Sequence, residues 1–202
     1  MNEVPVVFTI VLNWNGLADT RECLQSLRKV DYPANRVIVA DNGSEADEAG
    51  VLEEEFGGFI EVSRNPVNLG FAGGMNAGIG RALEAGAEYV LLLNNDVTVE
   101  PGFLAAMLAA AGRHPDLAAA CPKAFFRDPP NVIYSTGGSV NLWTGTAQQI
   151  GRGETDRGQF ERESVRDYAD GLCMLIPAAA IEKVGLLDEE YFTYWEETDW
   201  CF

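Results

Sequence analysis

The sequence predicts an α/β domain: a Rossmann-like, mostly parallel sheet with helices on both faces and a mixed C-terminal extension. Two observations predict it. Through the first half, short β-branched apolar runs alternate with stretches of helical periodicity, and three of the four runs end in a polar cluster. Such alternation builds βαβ units, whose right-handed crossovers set parallel strands side by side beneath helices.

Val6–Leu12 (VVFTIVL) is a near-continuous apolar run, as a strand buried on both faces requires. Asn13-Trp14-Asn15-Gly16 then turns the chain into a helix over Asp19–Val30. There Cys23, Leu24, Leu27 and Val30 recur at helical spacing, and Asp19 is the expected N-cap. Tyr32-Pro33 ends that helix. Arg36–Ala40 (RVIVA) is the second strand, running into Asp41-Asn42-Gly43-Ser44. An acidic helix is expected over Glu45–Phe56, closed by Gly57-Gly58, followed by a short third strand, Phe59–Ser63. Within Asn68–Gly86 a glycine-rich turn opens a helix carrying Met75, Ile79, Ala82 and Leu83. Tyr89–Leu93 (YVLLL), the fourth strand, runs straight into Asn94-Asn95-Asp96. Pro101 suits a helix start, and Phe103–Ala111 has the composition to continue it. Beyond Leu117 the periodicity weakens. Leu117–Cys121, Val132–Ser135 and Leu172–Ile176 are expected as strands, joined by loops such as Gly145–Arg166, in a mixed extension of the same sheet.

Hydrophobic residues make up 47% of the 202, ordinary globular usage that suggests neither disorder nor a fibre. The 31 acidic and 14 basic side chains give a formal charge of −17, which argues against a nucleic-acid partner, since phosphate affinity comes from clustered Lys and Arg. Any phosphate-bearing ligand therefore needs a metal ion or backbone N–H groups. The apolar runs Val4–Leu12 and Phe103–Ala111 fall short of the roughly 18 residues of a membrane span. The opening MNEVP lacks the features of a signal peptide. Cys23, Cys121, Cys173 and Cys201 form no CxxC, which argues against a zinc site or disulfide framework and fits a cytoplasmic compartment. The single histidine, His114, reads as a helix C-terminal residue meeting the dipole.

In open parallel sheets, ligands bind beyond the C-terminal strand ends. The residues there are Asn13-Trp14-Asn15, Asp41-Asn42 and Asn94-Asn95-Asp96. The first turn carries neither GxGxxG nor GxxxxGK[ST], so a dinucleotide fold or P-loop is not indicated. Asp96, a carboxylate at a buried strand's end, can bind Mg²⁺ or Mn²⁺ that bridges phosphate oxygens. Asp41 can accept hydrogen bonds from a ribose hydroxyl or a base N–H, or serve as a turn residue. Gly70-Phe71-Ala72-Gly73-Gly74 either brings backbone close to a ligand at a helix N-terminus or packs a helix close on the sheet. Near the C-terminus, Glu196, Glu197 and Asp199 lie among five aromatic residues; either burial among aromatics raises a carboxylate towards the range of a general base, or the three form an exposed acidic helix start where Asp and Glu favour the dipole.

The segments VVFTIVLNWNG, RVIVADNGS, NPVNLGFAGGMNAGI, YVLLLNNDVTVEPGFL, DGLCMLI and VGLLDEEYFTYWEETDWC together resemble family 2 of the inverting glycosyltransferases, with the GT-A fold, and its rhamnosyltransferase-like members in particular. They run in the family's order over nearly the whole chain. The resemblance implies transfer of a sugar from a nucleoside-diphosphate donor to a glycan or glycolipid acceptor, helped by Mg²⁺ or Mn²⁺. It sets Asn94-Asn95-Asp96 at the DxD-type position, with Asp96 and Asn94 on the metal side. Leu12, Trp14, Asp41, Asn68, Gly73, Asn76, Asn95 and Asp170 would border the nucleotide sugar. Glu197 would be the general base, with Glu196 and Asp199 as the alternatives. Two residues depart from the family pattern: the DxD position begins with Asn, and the usual Glu-Asp pair is Glu-Glu. The resemblance implies one domain over 1–202, with 1–100 its nucleotide-binding half. The acceptor and catalytic half, 101–202, would stop short of the family's C-terminal helices. A cytoplasmic protein, including one resting on the inner membrane face, is expected. A nucleotide-sugar-binding module without turnover is the alternative function. A sugar-phosphate nucleotidyltransferase is disfavoured by the lack of a glycine- and arginine-rich loop after the first strand.

Overall fold

The computed structural model describes residues 4–202. The apolar run Val7–Asn13 (β1) is buried at every position except the partly covered Leu12, so it takes the centre of the sheet. Asn35–Asp41 (β2) and Tyr89–Asn94 (β4) flank it in parallel, and Ile60–Arg64 (β3) lies outside β2. Cys173–Pro177 (β9) closes the other side of β4, antiparallel, to give the order β3-β2-β1-β4-β9. Register sets the polar strand ends level. Asn13 pairs with Asp41, and Leu12 pairs with both Ala40 and Asn94.

Side chains alternate across this sheet, as the two-residue strand period demands. Val7, Val11, Val37, Val39, Leu91, Leu93 and Leu175 face one layer of helices: Leu17–Leu27 (α1), Glu48–Phe56 (α2) and Phe103–Ala111 (α4). Phe8, Ile10, Ile38, Val90, Leu92, Met174 and Ile176 face the other, made of Gly70–Glu84 (α3), Ala178–Val184 (α5) and the short helix Glu196–Trp200 (α6). The glycine-rich run proves to be the start of α3 itself. A Cβ on Gly74 would meet Leu12 Cδ1, and one on Gly78 would fall 2.5 Å from Ile10 Cγ2, so these two glycines allow close helix–sheet packing, whereas one on Gly70 would meet Phe192.

Several expectations are corrected. The cap position of α1 is Gly16, whose C=O accepts the Thr20 N–H at 2.9 Å, and Asp19 is an exposed first-turn residue. That helix stops at Leu27, and α2 begins only at Glu48, capped by the Asp47 side chain accepting from Gly50 N–H. Leu117–Cys121 is not a strand. Ala120 alone pairs with Leu175, and Pro122, lacking an N–H, cannot extend the ladder. Of the second half, Cys173–Pro177 (β9) does extend the sheet, where Leu172–Ile176 is expected to, but the strands between residues 122 and 150 do not. Ala124–Phe125 (β5) pairs with Ile133–Ser135 (β6), and Gly138–Asn141 (β7) with Thr146–Gln149 (β8), as two separate ribbons. Strands of two to four residues, mostly polar or half-exposed, offer no apolar edge to add to the core. His114 lies beyond the end of α4, with its ring 3.0 Å from Glu163. Among the described residues, no helix is long and apolar enough to cross a membrane.

Candidate active site

The level strand ends open into a cleft of about 240 Å³ lined by Leu12, Trp14, Phe71, Asn94, Asn95 and Asp96. Trp14 is half-exposed at its mouth, and Asp96 presents its carboxylate to solvent. Asp41 lies deeper, 7% exposed. Its Oδ1 accepts from Asn13 Nδ2 at 2.9 Å and Ser44 Oγ at 2.6 Å. Asn94 Oδ1 is buried and accepts no hydrogen bond from any described residue.

Beside the cleft, the buried Asn42 ties down the turn that leads into α3. Its Nδ2 donates to Asn68 Oδ1 and Gly70 O, both at 2.9 Å, and its Oδ1 accepts from Asn65 Nδ2 and Leu69 N–H. Asn68 therefore belongs to the turn, whereas Gly73 and Asn76 lie within α3. Asn76, 5% exposed, directs both amide hydrogens to Leu187 O (2.9 Å) and Glu189 Oε1 (3.0 Å), and its Oδ1 accepts from Leu187 N–H.

Those bonds seat the segment that leads into the carboxylate-rich end of the chain. After β9 and α5 the chain climbs along α3, from Asn76 to Phe71, whose N–H donates to Phe192 O at 2.5 Å. Phe192, Tyr194 and Trp195 all take positive φ (57°, 68° and 80°) before α6 begins. Trp200 closes the excursion, its Nε1 donating to Gly185 O at 2.8 Å. On α6, Glu197 packs against Gly171, where a Cβ would stand 3.3 Å from Glu197 Cγ. The next residue, Leu172, accepts the Asn94 N–H at 3.0 Å. Residues 171 and 172 thus join the Asn94–Asp96 strand end to Glu197. Asp199 stands two positions on, about 200° around the helix. It accepts from Tyr191 Oη and borders a second cavity, about 330 Å³, with Gly145, Tyr191, Trp195, Thr198 and Phe202.

Burial raises the Glu197 carboxyl, and the charge of Asp170 adds to the rise, against a hydrogen bond from Glu197's own backbone. Asp170 itself is fixed by Gln149 Nε2 (2.6 Å) and Leu172 N–H (3.1 Å). Burial pushes Glu196 up to about 7, and its Oε2 is a buried atom without a partner among the described residues. Most of the expected aromatic shell stays open to solvent. Tyr191, Phe192, Tyr194 and Trp195 are all exposed, and only Trp200 is buried.

The sequence profile described as Glycosyl transferase family 2 matches residues 8–185. The chain belongs to glycosyl transferase family 2. Among curated relatives, it is similar to the N-acetylglucosaminyl-diphospho-decaprenol L-rhamnosyltransferase of Mycobacterium tuberculosis, 28% identical over 81% of this chain and 58% of that protein. It is also similar to the low-salt glycan biosynthesis hexosyltransferase Agl10 of Haloferax volcanii, 25% identical over 96% of this chain and 59% of the relative. The chain spans a little under three-fifths of the length of these relatives. Among solved structures, the mannosyltransferase PcManGT from Pyrobaculum calidifontis, in complex with GDP-Man and Mn²⁺, superimposes with a TM-score of 0.64 at 17% identity, covering 98% of this chain and 51% of that one. The shared architecture is the GT-A fold.

Within this family 2 domain the oxygen donors fit a hard divalent cation. A buried amide oxygen at Asn94, without a partner among the described residues, and an exposed carboxylate at Asp96 belong to residues that line one cleft. Such cations are often held by one or two protein oxygens, with phosphate and water completing the shell. Sequence reasoning placed Asn13 and Asn42 at the strand ends without a role for either, and missed Thr20, Gln149 and Gly171 as shaping residues. Asn13 and Asn42 lie inside the quoted motifs, so a buried asparagine at a strand end was the available signal. Thr20 and Gln149 carried none.

Proposed function

We propose that this chain holds the donor-binding and catalytic core of an inverting glycosyltransferase. It would move a sugar from a nucleoside diphosphate to an acceptor hydroxyl in polysaccharide or glycolipid synthesis. The observation that carries this is the link through Leu172 and Gly171, which brings the Asn94–Asp96 strand end and Glu197 to one edge of the sheet. Residues 1–100 would bind the nucleotide, and 101–202 would serve acceptor and chemistry.

Trp14 and Leu12 form the wall for the base and ribose, and Asp41, beneath them, accepts hydrogen bonds directly or holds the floor through Asn13. Asn68 and Gly73 border the diphosphate. Asn76 acts at one remove, by seating the segment that delivers α6. Asp96 and Asn94 would hold Mg²⁺ or Mn²⁺, which supplies positive charge to the departing diphosphate. Glu197, raised by burial and by Asp170, takes the proton from the acceptor hydroxyl as its oxygen attacks the anomeric carbon. The bond to the diphosphate oxygen breaks on the opposite side, inverting the centre. Glu197 suits this better than Asp199, because the Gly171 contact turns it towards the Asn94 strand end. The acceptor class is a glycan or glycolipid, consistent with the lipid-linked sugar in the mycobacterial relative's name.

Calorimetry with a panel of sugar nucleotides, run with Mn²⁺ and with a chelator, tests the donor site, and product analysis with added acceptors tests transfer. Asp96→Ala is expected to remove the Mn²⁺-dependent part of binding. Glu197→Gln is expected to keep binding and lower transfer by about 10²–10⁴. Binding without any transfer would leave a binding module. No binding by the wild type would end the donor assignment.

A further inference from the structure

One hydroxyl lies beneath both ends of the cleft. Thr20 on α1 is fully buried; its Oγ1 donates to Asn13 Oδ1 at 2.6 Å and accepts from Asn95 Nδ2 at 2.9 Å. The direction of this relay is forced. Asn13, also fully buried, directs Nδ2 at two carboxylates, Asp41 Oδ1 and Glu48 Oε2, each 2.9 Å away. Turning that amide over would set its oxygen against both anions, so Oδ1 must face Thr20 and the hydroxyl hydrogen must go to it. Only a lone pair then remains for Asn95, which has to answer with N–H. Gly16 leaves the room: a Cβ there would fall 2.5 Å from Asn95 Nδ2.

With its nitrogen committed to Thr20, Asn95 keeps its carbonyl oxygen for the cleft that it lines. An oxygen facing the cleft is repelled by phosphate and attracted by a cation. We propose that Thr20 is a positioning residue that holds Asn95 oxygen-outward through the buried Asn13–Thr20 relay, so that Asn95 adds a neutral oxygen donor on the cation side of the donor cleft. Asn95 thereby makes up for the carboxylate that Asn94 lacks. The inference rests on the donor-site reading above.

The test measures the apparent Kd for Mn²⁺ at saturating UDP, and the Kd for UDP in chelator, in Thr20→Val, Thr20→Ser, Asn95→Ala and the Thr20→Val/Asn95→Ala double variant. Thr20→Val is expected to weaken Mn²⁺ by about tenfold, one hydrogen bond's worth, and to leave UDP in chelator unchanged. Thr20→Ser should restore the wild-type value. The double variant should match Asn95→Ala, because a residue acting through another adds nothing once that one is gone. Gly16→Ala, which displaces the same amide from another side, should reproduce the loss even if Thr20→Val folds poorly. Unchanged Mn²⁺ affinity in Thr20→Val and Gly16→Ala, or losses that add in the double variant, would overturn the inference. A wild type that binds neither Mn²⁺ nor any of UDP, GDP and dTDP would overturn the donor-site reading and this with it.

Discussion

Glu196 and Glu197 are neighbours in sequence, yet burial acts on each to different effect. Glu196 has one buried oxygen without a partner among the described residues, and its carboxyl is lifted from 4.5 to about 7. The folded chain therefore holds that proton more tightly than the unfolded chain does. Between those two values the native state binds more protons, so stability falls as pH rises. The contribution is whole below about 4.5 and gone above about 7. Glu196→Gln should flatten this slope, which urea midpoints at about pH 5 and about pH 8 would reveal as a smaller difference than in wild type. Glu197 is also raised, first by burial and then by Asp170. Replacing that neighbouring charge in Asp170→Asn lowers the Glu197 pKa. The acid limb of the transfer-rate profile should move to lower pH, and an unmoved limb would remove Asp170's electrostatic part. The carboxylates themselves were legible in the sequence as a cluster, but the reason for their burial was not. Most aromatic neighbours in sequence are exposed here, while Glu197 packs against Gly171, 26 residues earlier in the numbering.

At the scale of elements, α3 separates two kinds of glycine. Gly78 lies against Ile10 in the fully buried core, where an added methyl has nowhere to go; Gly80, two residues on, has nothing within 4 Å of a Cβ. Gly78→Ala should destabilise by about 1–3 kcal/mol through overpacking. Gly80→Ala should stabilise by about 0.5–1 kcal/mol, since alanine loses less backbone entropy in a helix. At about 2–4 °C per kcal/mol for a chain of this size, thermal melts should shift in opposite directions. The four parallel strands and their helices were legible because β-branched runs and breakers such as Tyr32-Pro33 act locally. Helix boundaries slipped by a few residues where side chains choose the cap, as Asp47 does for α2. The β5–β8 region was misjudged for a physical reason: a two-residue period says that a segment is extended, not which edge it joins.

Across the whole molecule, the charge of −17 and the scarcity of cations at the cleft demand outside positive charge for any diphosphate, a need already visible in composition. The path that brings α6 back along α3 was not visible there. It depends on Asn76 gripping Leu187, 111 positions away, and no local pattern encodes such a partner. The reversed direction of β9 has a further result. Pro177 leaves the sheet opposite Tyr89, at the far edge from the cleft, so the chain must return the height of α3 before α6 is in place. That return rests on the Asn76 bonds, the Phe71–Phe192 bond and the Trp200–Gly185 bond, with most of its side chains in solvent. A stretch tied at so few points can open while β1 and β4 remain intact. Its amides, from 186 to 195, should take up deuterium well before those of the central strands, and limited proteolysis should cut there first.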